Sequence, residues 1–268
     1  MEQSKITFSF GKNWKDYLKT VSKEEIDKAK YDIEEWLGAN FVSGKTVIDV
    51  GSGSGIHSLA FYLLGAKTIC SFDFDKYSVE ATKILWEKEG KPKNWIVSQG
   101  SILDKQFLKS FGQDFDIVYS WGALHHTGAM WEAVDNSINL VKSGGKLWIS
   151  LYAEGPNYSK DLALKQRYNS ASPLGKKGMI YKSIARIMLS RLRHFKNPFT
   201  WNEKISRGMN VYHNIVDWLG GLPYEVANED EVLRVCRKKG LILERIKVKE
   251  EGAANIYVFS LPINTEKA

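Results

Sequence analysis

The sequence predicts an α/β protein: a doubly wound, mostly parallel sheet of seven strands, the last antiparallel, with N-terminal helices and a helical cap insertion. Three observations carry this. Short apolar runs alternate with helical segments at a spacing that suits parallel strands and crossover helices. A glycine cluster follows the first run directly. The last two runs are parted only by Glu250-Glu251-Gly252, the short turn of an antiparallel hairpin.

The elements follow in order. Ser22-Lys23-Glu24-Glu25 is a capping-box pattern, and Ile26, Ala29, Ile33, Trp36 and Leu37 continue it at helical spacing. Thr46 to Val50 is a buried strand and Ile56 to Leu64 a helix. A second strand spans Thr68 to Phe72, a second helix Val79 to Glu89 and a third strand Trp95 to Ser98. The fourth strand, Asp116 to Ser120, precedes a helix from about Trp131 to Val141 that Gly144-Gly145 should stop; Lys146 to Tyr152 is the fifth strand. A helix from Glu229 to Lys239 and strands from Leu241 to Val248 and Asn255 to Leu261 complete the pattern. The expected division is 1–44 as an N-terminal helical segment, with Phe10 and Trp14 as a lid, and 45–152 as the core. Residues 153–227 form the cap, and 228–268 complete the sheet.

Composition narrows the class. A chain of 268 residues, 43% hydrophobic and 26% charged, can bury a sizeable core. No apolar run approaches the ~20 residues of a membrane span, and the polar start is not that of a signal peptide, so the cytosol is the expected compartment. With only two cysteines, Cys70 and Cys236, unclustered, neither a disulfide framework nor a zinc site is expected. The net charge is +7, and residues 153–227 hold twelve Lys/Arg against five Asp/Glu, so the whole excess sits in the cap.

The chemistry starts at Asp49-Val50-Gly51-Ser52-Gly53-Ser54-Gly55, after a strand and before a helix. Such glycines bring backbone N–H groups close to a ligand at a helix N-terminus. A dinucleotide fingerprint would place its third glycine at position 56, which is Ile, and the Lys-Ser/Thr of a P-loop is absent. A carboxylate before the first glycine repels a pyrophosphate but suits the ammonium of an amino-acid ligand. Asp73, 18 residues after Gly55, can accept both hydroxyls of a ribose. Phe74 and the Ser101-Ile102 pair supply a face and an edge for an adenine. Ligands bind at such carboxyl ends of strands in open α/β sheets.

Thr46 to Tyr152 resembles the catalytic domain of class I S-adenosylmethionine-dependent methyltransferases, on VIDVGSGSG, SFDFD and FDIVYSWGALHHTG. The turn LVKSGGKL is similar too, with Ser143 where Pro is usual. The resemblance implies a Rossmann-like fold and S-adenosylmethionine as cofactor, released as S-adenosylhomocysteine, with no metal. Asp49, Gly51, Gly53 and Gly55 would then line the methionine portion, Asp73 the ribose, and Phe74, Ser101 and Ile102 the adenine. Trp121 would lie near the methyl group. A narrower bacterial group of small-molecule methyltransferases, quinone-type or associated with surface polysaccharide, is also similar. Its marks are FSFGKNW, the segment Tyr119 to Gly128, and RGMNVYHNIVDWLGGLPYEV.

Candidate bases are His125, His126 and His213. Arg207, Tyr212, Asp217, Glu225 and Tyr152 are candidate acceptor contacts, with Asn255 a weaker one; Arg207 can clamp a carboxylate or phosphoryl group. The implied reaction is methyl transfer to an oxygen, or second a nitrogen, of a small polar metabolite such as a sugar or phosphoryl-bearing intermediate of surface-polysaccharide (capsule) assembly. A membrane-associated quinone-type O-methyltransferase, an RNA methyltransferase and a non-catalytic cofactor-binding partner protein are the alternatives. Oligomeric state is open. The basic segment Gly178 to Phe195 has Met179, Ile180, Ile184, Ile187, Met188 and Leu192 at near-helical spacing. Packing on its own domain is its leading reading, peripheral membrane contact the second and nucleic acid the last.

Overall fold

A computed structural model describes residues 8–18, 21–112, 114–199, 211–248 and 253–263. The strands are β1 (Thr46–Val50), β2 (Thr68–Asp73), β3 (Trp95–Gln99), β4 (Phe115–Trp121), β5 (Val141–Tyr152), β6 (Ile242–Lys247) and β7 (Ala254–Ser260). They form one seven-stranded sheet in the order β3-β2-β1-β4-β5-β7-β6. β1 to β5 are parallel; β7 runs antiparallel to both β5 and β6. The chain steps outward one way from β1 and the other way from β4, so a crevice opens at the carboxyl ends of these two neighbours.

The helices are α1 (Phe10–Tyr17), α2 (Lys23–Leu37), α3 (Ile56–Leu63), α4 (Lys76–Lys88), α5 (Lys105–Lys109), α6 (Met130–Ile138), α7 (Tyr158–Ser170), α8 (Pro173–Arg193), α9 (Val211–Gly220) and α10 (Glu229–Lys238). Side-chain alternation along the strands divides the core. Val47, Ile69, Tyr119 and Trp148 pack under α1 to α4, while Ile48, Cys70, Val118 and Ile149 pack against α6 and α10. α2 starts where its capping box predicts: the Ser22 side chain and the Glu25 carboxylate satisfy each other's backbone N–H groups.

The sequence reading starts α4 three residues late, misses α5 and misplaces the junction of α6 and β5. α6 ends at Ile138, and Val141 already pairs with Phe115. β5 therefore begins ahead of Gly144-Gly145, which sit inside it at a bulge rather than marking the end of a helix. Val141 is buried, and its contribution to the core outweighs the helical pattern that ran up to it.

The cap leaves and rejoins the sheet at one point, where Ala153 and Ala227 form a parallel bridge and the Ala227 N–H donates to the Tyr152 carbonyl. Between them α7, α8 and α9 share a small core of Tyr168, Ile180, Ile184, Val211, Ile215 and Leu219. Lys165 of α7 is fully buried there: it donates to the Trp218 carbonyl, and its ammonium lies 4.5 Å from the Trp218 ring and 4.6 Å from the Tyr224 ring. No helix among the described residues is long and apolar enough to cross a membrane.

Candidate active site

β1 delivers Asp49 to the crevice as a buried carboxylate. Ser58 donates to it from α3, Ser71 donates to Ser58, and the indole of Trp95 donates to Ser71 at 2.9 Å. This relay across three strands fixes its orientation. Burial, reinforced by repulsion from Asp73, raises its pKa to about 7 despite the Ser58 bond. Asp73 ends β2 and accepts the Gly53 N–H at 3.0 Å and the Asp75 N–H at 2.8 Å. Burial raises it too, to about 6.

The loop between β1 and α3 turns through positive φ at Gly51 (77°) and Gly53 (55°). A Cβ on Gly51 would lie 2.3 Å from the Ala123 side chain, so only glycine lets the loop pass this close to the segment after β4. α3 begins without a side-chain cap, leaving its first N–H groups for a ligand. Two strained carboxylates, a close-approaching loop and an open helix N-terminus fit a ligand with an ammonium, a carboxylate and a ribose.

These groups border a cleft of about 1220 Å³. One end holds Asp73, Phe74, Ser101 and Ile102; the middle holds Asp49, Gly51 and Gly53; Trp121, Ala123 and His126 follow. Beside the glycine loop His57, Tyr119 and Trp121 form a stack: His57 lies 5.1 Å from Tyr119 at 28° and 6.2 Å from Trp121 at 13°. α2 faces this bay with Ala29, Asp32 and Trp36. α1 covers the opening. Its Trp14 would be 3.2 Å from a Cβ on Gly53, and Asp75 accepts from Ser9 Oγ at 2.7 Å and the Gly11 N–H at 3.0 Å.

The structure gathers some of the sequence-nominated residues into the cleft and places others elsewhere. Asp49, Gly51, Gly53, Asp73, Phe74, Ser101, Ile102, Trp121, His126 and Asp217 line it. Gly55 lies behind it, where a Cβ would meet Thr82 at 2.8 Å; that glycine serves helix packing. His125 is buried behind His126, with Nδ1 accepting from the Tyr152 N–H at 3.2 Å. His213 is buried, 3.2 Å from Asp16 of α1, and holds lid to cap. The Glu225 carboxylate accepts from the Met130 N–H at the start of α6. Tyr152 packs on His125 and Tyr224, and Tyr212 is an exposed residue of α9. Asn255 donates to Glu229 at 2.6 Å. Arg207 lies outside the described residues. Sequence reasoning missed His57 and Tyr119 as cleft residues. Its available signal was position: His57 falls in the first helical turn after the glycine loop, and Tyr119 shares an alternating strand face with Trp121. Among the described residues no group of three His, Cys, Asp or Glu is placed to hold a metal ion.

Residues 41–218 match the family model described as a methyltransferase domain. The chain therefore belongs to the methyltransferase-domain family, enzymes that take S-adenosylmethionine as methyl donor. A ribosomal protein L11 methyltransferase of Bacillus pumilus (strain SAFR-032) is 48% identical over 59 residues, 22% of this chain and 19% of that protein. The chain thus spans about a fifth of that relative's length. An O-methyltransferase family protein from Burkholderia thailandensis shares the fold with a TM-score of 0.56 at 16% identity, over 93% of this chain and 59% of that one. The magnesium protoporphyrin IX methyltransferase of Synechocystis PCC 6803, solved with bound S-adenosylhomocysteine, superposes with a TM-score of 0.53 at 13% identity, over 88% and 85%.

Proposed function

We propose that this chain transfers a methyl group from S-adenosylmethionine to an oxygen, and less readily a nitrogen, of a small ring-bearing acceptor. The observation that carries this is the continuity of one cleft from the Asp73–Ser101 end to the His57–Tyr119–Trp121 stack. Its volume of about 1220 Å³ exceeds the roughly 300–1,000 Å³ of a single ligand pocket. Donor and acceptor have room side by side.

Bound S-adenosylmethionine supplies a methyl group on a cationic sulfur, already activated for in-line displacement. In this reading Asp49 pairs with the ammonium, Asp73 accepts the ribose hydroxyls, and Phe74, Ser101 and Ile102 enclose the adenine. Trp121 borders the methyl group. The Trp14 lid excludes water, and holding two reactants in line removes about 7–11 kcal/mol of barrier. His126 is the base. Its Nδ1 lies 2.6 Å from the Pro223 carbonyl, which can only accept, so Nδ1 carries a proton and Nε2 is the ring nitrogen through which the base would act.

The acceptor we favour is a sugar or phosphoryl-bearing intermediate of surface-polysaccharide (capsule) assembly, whose ring face would rest on the aromatic stack. A quinone-type phenol is the second reading, favoured by the near-parallel rings of that stack. The ribosomal-protein substrate of the relative is not carried over, because that match covers 22% of the chain. The test is release of S-adenosylhomocysteine across nucleotide sugars, sugar phosphates, catechols and quinols. With the acceptor that turns over, His126→Ala lowers kcat by about 10²–10⁴-fold with donor affinity unchanged, and Trp121→Ala raises the acceptor KM. Donor binding without turnover on any acceptor would contradict the catalytic reading.

A further inference from the structure

The apolar arc of α8 is wider than the cap covers. Ile180 and Ile184 are buried in the cap core, with Met179, Ile187 and Met188 partly covered. At ~100° per residue, Leu174, Tyr181, Leu189 and Leu192 form the outer part of this arc, a stripe about 80° wide that adjoins the cap-facing residues at Met188. It lies roughly a third of a turn away from Ile180 and Ile184. All four are exposed, at 80%, 64%, 50% and 55%. Phe195, 100% exposed, and Phe199, 70% exposed, extend the apolar character past the helix end. Lys182, Arg186 and Arg193 run along one border of the stripe and are themselves exposed. Across residues 173–199 there are seven Lys/Arg and no Asp/Glu.

We infer that α8 and the segment after it seat this protein on an anionic lipid surface, with the stripe in the headgroup–acyl boundary and the cations on lipid phosphates. Apolar side chains this exposed gain nothing from water, and this uncovered part of the arc adds nothing to the packing of the cap. A cationic border without a single acid matches an anionic leaflet, and each such charge near its surface contributes about a fivefold gain in binding. An apolar stripe edged by cations is the pattern of a helix lying in the interface plane. Nucleic acid would be met by the cations alone and would leave the leucines and Phe195 in water.

The test is co-sedimentation of the full chain with phosphatidylcholine vesicles, with and without phosphatidylglycerol. The protein is expected to bind the anionic vesicles at least tenfold more tightly than the neutral ones, and added salt should weaken that binding. Leu189→Glu with Leu192→Glu should abolish it, and Arg186→Gln with Arg193→Gln should weaken it by an order of magnitude or more. Both double variants alter exposed positions, and each should keep the wild-type circular dichroism spectrum and donor affinity. No binding to anionic vesicles overturns the inference. So does weak binding of the wild type to anionic vesicles together with polyuridylate binding that persists in the Leu189→Glu/Leu192→Glu variant. A dimer that this variant dissociates, without vesicle binding, overturns it by assigning the stripe to a second copy. None of these outcomes depends on the methyl-transfer reading.

Discussion

In the proposed reading Asp49 meets the ammonium of the donor. Its place at the end of a central strand buries it, the Ser58–Ser71–Trp95 relay aims it, and burial moves its pKa to about 7. An ammonium beside it would draw that pKa down, so ligand and proton compete for the same carboxylate. Donor affinity should thus be full above pH 7 and fall as pH drops through it, approaching tenfold per unit. Calorimetric titration across about pH 5–8, roughly one unit beyond the two shifted values on either side, checks the slope. Asp49→Asn should bind weakly and lose most of the slope, Asp73 contributing the remainder near pH 6. Equal slopes in the two proteins would remove Asp49 from the ammonium site. Asp49 and Asp73 were legible because strand-end position and residue type both mark them. His125 and His213 show the limit of that logic. Each sits in a suggestive segment, but only packing tells that one backs the cleft and the other ties the cap to α1.

At the scale of elements, the cap is held together and tied to α1 by polar contacts that sequence patterns do not reveal. Asn13 of α1 donates to the His213 carbonyl at 3.1 Å, and Lys165 of α7 donates to the Trp218 carbonyl of α9. Burial lowers the Lys165 pKa from 10.5 to about 8, against the raising influence of Asp217 and Asp161. Unfolding returns it to its ordinary value, so the unfolded chain binds the proton more tightly. Stability is therefore lowest below pH 8 and rises as pH climbs from about 8 toward 10.5. The urea midpoint of the wild type should gain more between these limits than that of Lys165→Met, in which the linkage is absent; parallel profiles would show that Lys165 is not strained. The strands and the α2 start were legible because period-2 burial and the capping box are local signals. The start of β5 was not, because Val141 joins the sheet through a partner 26 residues away in sequence, Phe115. The hinge of the cap at Ala153 and Ala227 is a change of composition in the sequence, and a single bridge in three dimensions.

At the scale of the molecule, the switch in strand order between the parallel neighbours β1 and β4 places the glycine loop, Asp73 and the ring stack around one space, with α1 above it and the cap beside it. The lining that three strand ends contribute was readable. The side at the ring stack was not, since it assembles α2, His57 and β4 from three distant stretches of chain. A basic excess that looked like one property of the cap resolves into a particular helix whose free face is apolar as well as cationic. The central claim is that the donor half binds S-adenosylmethionine through Asp73, and the most direct measurement is calorimetric titration of that cofactor into the wild type and into Asp73→Ala. The account predicts saturable binding to the wild type that weakens by an order of magnitude or more in the folded variant. Equal affinity in the two proteins, or no binding to the folded wild type, would contradict it.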